Sequence, residues 1–130
     1  MKRCMFVDDS SVIRKVAKRI LAGPDISVIE AGTGYDALGM CASDMPEIIV
    51  VESTLADMSA VEFIRRVRGI AASVKPRIVV CLTEVDIGAI MRAKRAGAEG
   101  YLLKPFNRPQ LLERFRSLEA APERNLQSVA

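Results

Sequence analysis

Four places in this 130-residue chain carry side chains that could do phosphoryl chemistry together. Asp8 and Asp9 stand side by side after an apolar run at residues 4–7, and Glu52 follows the run at 48–51. Thr83 and Glu84 follow the run at 78–82, and Lys104-Pro105 follows 101–103. Clustered carboxylates repel one another unless a cation intervenes. An all-oxygen donor set suits a hard divalent ion, Mg²⁺ first, with several waters retained. A metal, the Lys104 ammonium and the Thr83 hydroxyl around one acid would neutralise a transferring phosphoryl group and donate to it. Taken singly, each residue has a plain structural use: Asp8 and Asp9 could cap a following helix, and Lys104 could pair with an acid. Their recurrence behind successive apolar runs is what points to one shared site.

The elements that must position them are legible as punctuation. Apolar runs recur at 4–7, 26–29, 48–51, 78–82 and 101–103, most of them rich in Val or Ile. Continuous rather than alternating apolarity predicts strands buried on both faces. Between them lie helical stripes: Val12, Val16, Ile20 and Leu21; then Val61, Ile64 and Val67; then Ala89, Ile90, Ala93 and Ala96; then Leu111, Leu112, Phe115 and Leu118. Ser10 or Ser11 can cap the first helix and Asp86 the fourth. Gly23-Pro24 ends the first and Gly97 the fourth. Strand and helix alternate five times, which predicts an α/β fold with a parallel sheet and helices on both faces. Such sheets bind ligands at the carboxyl ends of the strands, where the strand order switches, and that is where these polar residues fall. Glu30, at the end of the second run, reads as a surface acid.

The stretches FVDDS, IIVVE, IVVCLT and GYLLKPF together resemble the receiver domain of bacterial two-component response regulators, above all the single-domain, chemotaxis-type members. The resemblance spans about residues 3–119. It implies a flavodoxin-like, doubly wound sheet with strand order 2-1-3-4-5 and a phosphorelay function without enzymatic activity of its own. It also implies that Asp8 and Asp9 bind Mg²⁺ with the backbone carbonyl of Thr54 and the acceptor acid at Glu52. Thr83 would be the switch hydroxyl, Tyr101 the rotating aromatic, Lys104 the pocket lysine, and Lys104-Pro105 a cis peptide. Output would pass to a protein partner through the fourth helix, fifth strand and fifth helix, here carrying Arg92, Arg95, Tyr101 and Arg108. A histidine kinase or phosphotransfer protein is a further implied partner.

The departures from that pattern gather at the acceptor. The family uses Asp where this chain has Glu52, and one extra methylene moves the carboxylate by about 1.5 Å. In-line transfer tolerates this poorly, since a misplacement of about 1 Å can cost a hundredfold. The residue after the switch hydroxyl is usually small, and here it is Glu84, an acid that would repel a phosphodonor. The loop after the acceptor usually carries Pro and Gly, and here it reads LADMSA. The expectation is a phosphorylation-independent receiver. Glu52 would either imitate an acyl phosphate, with one charge in place of about two, or simply fill the pocket. The alternative is labelling at Glu52 or at Asp57, which reads as a loop acid. A Mg²⁺-dependent phosphohydrolase would need a D-x-D pair after the first strand, where this chain has adjacent acids. A flavin-binding protein would need a phosphate-binding loop after the first strand, where Asp8 and Asp9 would repel the phosphate.

Bulk properties narrow the field further. His and Trp are absent, which excludes His-based acid–base chemistry. Cys4, Cys41 and Cys81 fit neither a metal spacing nor a disulfide framework and read as core residues. No apolar run is long enough for a membrane span, and no signal peptide is evident, so a cytoplasmic protein is expected. Residues 1–65 carry 7 basic and 10 acidic side chains, whereas 66–130 carry 12 basic and 6 acidic. The basic second half suits an acidic protein partner. Without interleaved aromatics it makes a poor nucleic-acid surface. The expected organisation is one receiver domain over 1–120 and a flexible tail over 121–130.

Overall fold

The computed structural model describes residues 2–120. The strands are β1 (Lys2–Val7), β2 (Ile26–Ala31), β3 (Ile48–Glu52), β4 (Arg77–Leu82) and β5 (Gly100–Leu103). The helices are α1 (Ser11–Leu21), α2 (Gly34–Ser43), α3 (Ala60–Arg68), α4 (Ile87–Ala96) and α5 (Arg108–Ala120). All neighbouring strands are parallel, in the order β2-β1-β3-β4-β5. This is the architecture expected from the alternation of runs and stripes. The tail proposed over 121–130 lies outside the described residues.

Two cores explain why the strands read as unbroken apolar runs. Met5, Val7, Ile49, Val51, Ile78 and Val80 face α2, α3 and α4, meeting Ala37, Phe63, Ile64, Val67, Ile90 and Ala93. Their alternates Cys4, Phe6, Ile48, Val50, Val79 and Cys81 face α1 and α5, meeting Ala17, Leu21, Leu111, Phe115 and Leu118. Side chains alternate across a strand, so a sheet covered twice must be apolar at every position. All three cysteines are buried free thiols, as expected. Burial pushes the Cys41 thiol up to about 11 and Cys81 up to about 12, which keeps both protonated.

The helix starts follow their caps. Ser10 accepts the Ile13 amide and Asp86 the Ala89 amide, while Gly97 closes α4 at φ 125°, a conformation that only glycine adopts cheaply. One stripe departs from expectation. Val12 is 68% exposed and Val16 38%, whereas Leu21 is buried and Ile20 partly covered as expected, joined by the buried Ala17 and the partly covered Ile13. Packing against the sheet sets the rotation of the helix, with the fully buried Ala17 facing it.

Candidate functional site

Strand order reverses between β1 and β3: the chain leaves β1 toward β2 on one side and enters β4 from β3 on the other. Val7 pairs with Val51, so the next residues, Asp8 and Glu52, stand level at adjacent carboxyl ends. Lys104 follows β5 and is tied back to β4 by its amide, which donates to the Leu82 carbonyl at 2.7 Å. The Lys104-Pro105 peptide is cis. These placements bring Lys104 over the acids. Its ammonium donates to Asp8 Oδ2 at 3.1 Å and to Glu52 Oε2. The three side chains are 9%, 4% and 14% exposed respectively.

Each remaining acceptor oxygen in this group has a backbone donor. Asp8 Oδ1 accepts the Ser10 amide at 2.9 Å. Glu52 Oε1 accepts the Ser53 amide at 2.9 Å, an N–H that it shares with the Cys81 carbonyl. Burial works against the Lys104 ammonium, but the hydrogen bonds and charges of Glu52 and Asp8 outweigh it and raise its pKa above the ordinary 10.5. A raised lysine pKa contributes stability that is fully present below 10.5 and fades as pH climbs through the higher folded value. The lysine's contribution is therefore fully present at neutral pH.

Asp9 is exposed, yet it offers a carboxylate oxygen to the same spot: oxygens of Asp8, Asp9 and Glu52 all lie within 4.8 Å of one another. Three hard oxygens at that spacing fit a divalent ion such as Mg²⁺. Such an ion, when bound, would supply positive charge against an incoming phosphoryl oxygen, and Asp8, Asp9 and Glu52 would hold it.

Other expected site residues sit differently. Thr83 and Glu84 are both exposed, and Thr83 makes no hydrogen bond to Glu52. Glu52 is therefore not lodged against Thr83 but against Lys104 and its own strand end. Thr54 is exposed and pairs with Ser59 in a short antiparallel bridge. Tyr101 is partly buried, with the Arg114 guanidinium 5.6 Å over its ring. Arg92, Arg95 and Arg108 are exposed, as are the apolar residues Val85, Ile87 and Met91 and the strand-end Leu103.

Two acids that read as surface residues have partners. Glu30 is partly buried and accepts from Arg14 and Lys15. Its hydrogen bond to Lys15 leads the effects that lower its pKa. Asp57 accepts the amides of Tyr35 at 2.9 Å and Gly34 at 3.0 Å, so it caps α2 from outside. Beside it, Met58 packs so closely on Gly34 that an added Cβ would lie 2.7 Å from the Met58 side chain. The loop LADMSA is thus closed without its usual glycine. The Thr54–Ser59 bridge, the Leu55 amide on the Met58 carbonyl and the Asp57 clamp hold it. Sequence pattern could not reveal this clamp, because donor and acceptor lie more than 20 residues apart and the acid sits in no periodic segment.

The clamp has a pH signature. The Tyr35 and Gly34 amides favour the charged Asp57 carboxylate and lower its pKa below the usual 3.8. Its stabilisation is present above 3.8 and is lost as pH falls through the lower folded value. The Asp57→Ala variant will melt below wild type at neutral pH, and the gap will narrow as pH falls below 3.8. A gap in thermal midpoint that stays constant across that range would contradict this account.

Comparison with known proteins places these features in context. The family model for the response regulator receiver domain matches residues 4–116. The response regulators MprA of Mycobacterium avium and of Mycobacterium tuberculosis are 32% identical over 130 residues, covering 98% of this chain and 56% of theirs. The chain spans about half the length of the curated relatives it matches. The Vibrio cholerae chemotaxis protein CheY4 superposes with a TM-score of 0.84 at 28% identity, covering 90% of this chain and 98% of that one. A two-component response regulator from Clostridium difficile gives a TM-score of 0.85 at 20% identity, covering 95% and 100%, a likeness of fold.

Proposed function

The chain belongs to the response regulator receiver domain family of two-component signalling, and on that premise we propose that it acts as a phosphorylation-independent receiver, a protein-binding module whose pocket is filled by its own Glu52. The observation that carries this reading is the engagement of both Glu52 oxygens, one by Lys104 and one by the Ser53 amide. An acceptor carboxylate must present a free oxygen in line with the donor phosphorus. Glu52 instead spends its charge on the cation that would otherwise meet the phosphoryl group. Because Thr83 is exposed and makes no bond to Glu52, the arrangement supports a filled pocket over an imitation of the phosphorylated state.

In this reading Asp8, Asp9 and Glu52 would hold Mg²⁺, with the Thr54 carbonyl as the fourth protein donor. Output would pass through α4, β5 and α5, which expose Arg92, Arg95 and Arg108, with Val85, Ile87 and Met91 exposed on α4 and the turn before it. Exposed apolar side chains together with exposed arginines suit an amphipathic partner helix with acidic flanks. A histidine kinase or phosphotransfer protein would meet the other end of the same pathway.

A second reading, genuine phosphorylation, draws support from the intact group of metal-donor oxygens. Within it, Asp57 is the weaker acceptor, since its carboxylate is committed to the α2 amides. Incubation with Mg²⁺ and a small-molecule phosphodonor, read by intact mass, separates the two. The wild-type chain will remain unmodified, and a stoichiometric labile phosphoryl adduct would overturn the phosphorylation-independent reading.

A further inference from the structure

The β1–α1 corner that carries both acids is held from one side by a residue outside the pocket. Arg14, in the first turn of α1, sends Nη1 to the Asp8 carbonyl at 2.6 Å. Its Nε donates to Glu30 Oε1 at 3.0 Å, and Lys15 Nζ holds both oxygens of the same carboxylate at 2.9 and 3.1 Å. Arg14 and Glu30 are each only 17% exposed. The Asp8 amide meanwhile donates to the Ala31 carbonyl at 3.1 Å.

These bonds fix a peptide plane. The Asp8 carbonyl and the Asp9 amide belong to one planar unit. Holding its oxygen sets the direction in which the chain leaves Asp8, and so where the Asp9 carboxylate starts. Asp8 is fixed by its own side-chain bonds to Ser10 and Lys104, whereas Asp9 is exposed and reaches the shared oxygen cluster only if its backbone is aimed there. Arginine suits the task because a rigid fork can bind an acid and a carbonyl at once, which a lysine ammonium does with less directional control.

We propose that Arg14, aligned by Glu30, is a positioning residue for the divalent-cation site, orienting the Asp8–Asp9 peptide so that both carboxylates meet one ion. This rests on the reading of Asp8, Asp9 and Glu52 as that site. Charge alone argues the opposite outcome: removing a cation beside three carboxylates should make Mg²⁺ bind more tightly. Positioning predicts that binding weakens, so the sign of the change is the test.

Mg²⁺ is titrated by calorimetry into the full chain as wild type, Arg14→Gln, Arg14→Lys, Glu30→Gln and the control Lys18→Gln. Supporting residues of this kind typically cost about tenfold or more in metal affinity. Arg14→Gln will weaken Mg²⁺ binding by about tenfold, Arg14→Lys will fail to restore it fully, Glu30→Gln will lose less, and Lys18→Gln will match wild type. Amide chemical shifts of Asp9 and Ser10 will move in the metal-free Arg14→Gln protein while those of α4 stay in place. If Arg14→Gln does not fold, Arg14→Lys decides: it keeps the charge, so charge alone predicts unchanged binding while positioning predicts weaker binding. Tighter or unchanged binding by the folded variant overturns the positioning role. Absence of Mg²⁺ binding by wild type overturns the site reading and this role with it, an outcome distinct from equal binding by both proteins.

Discussion

Incubated with Mg²⁺ and a small-molecule phosphodonor, Glu52→Asp will take up one labile phosphoryl group, while wild type under the same conditions takes none. Three effects of the shorter side chain act in the same direction. The carboxylate retreats by about 1.5 Å toward its own strand. At that distance it leaves the contact with Lys104 that occupies one of its oxygens. Lys104 stays beside Asp8 and becomes available to a phosphoryl oxygen. Because a misplacement of about 1 Å can cost a hundredfold in an oriented reaction, the labelling rate should rise by about a hundredfold or more. Glu84 will hold the rate down, since it is an exposed acid beside Thr83 and repels an anionic donor. The pair Glu52→Asp, Glu84→Ala will therefore label faster than Glu52→Asp alone. Intact mass over time gives both rates. If the double variant takes no label, the pocket is disabled by more than these two residues.

Replacing Lys104 by Met tests the other half of the triad. Lys104 is the cation bonded to two acids whose side chains are only 4% and 14% exposed. Its loss leaves the Asp8 and Glu52 carboxylates facing each other where little water can reach. Breaking a buried ion pair by removing one partner costs about 3 kcal/mol, because the desolvated charge left behind is uncompensated, and for a domain of this size that is a Tm drop of roughly 10 °C. The methionine keeps most of the aliphatic stem, so packing is a minor part of the loss. Adding Glu52→Gln to Lys104→Met will recover part of the drop by removing one of the opposed charges. Thermal or urea unfolding measures each variant. A loss below about 1 kcal/mol would mean that the acids are solvated enough to do without Lys104, and the filled-pocket reading would lose its main support.

How much of this was legible in the sequence depends on the range of the interaction that decides each feature. Strands sandwiched between two helical layers must be apolar at every residue, so residues 4–7 and 78–82 announced themselves, as did the polar strand ends at Asp8, Glu52 and Lys104. Caps act within one helical turn, so Ser10, Asp86 and Gly97 were readable from neighbours alone. The three cysteines could be placed in the core because they sit among apolar residues.

The rest depended on contacts between distant segments. On α1 the expected stripe of Val12, Val16, Ile20 and Leu21 and the observed one of Ile13, Ala17, Ile20 and Leu21 share the helical period, and only packing against the sheet selected between them. Glu30 and Asp57 read as surface acids because their partners, Arg14 at 16 residues' separation and the Gly34 amide at 23, come near only when the chain has folded. By itself the sequence determined the fold, the acid pair and the unusual glutamate, since burial pattern and residue chemistry are local properties. Only the tertiary structure decided that Lys104 spans Asp8 and Glu52, that Thr83 stands apart, and that Arg14 holds the corner bearing the acid pair. Those facts depend on where side chains from separate strands and helices end, at distances of a few ångströms that no spacing along the chain encodes.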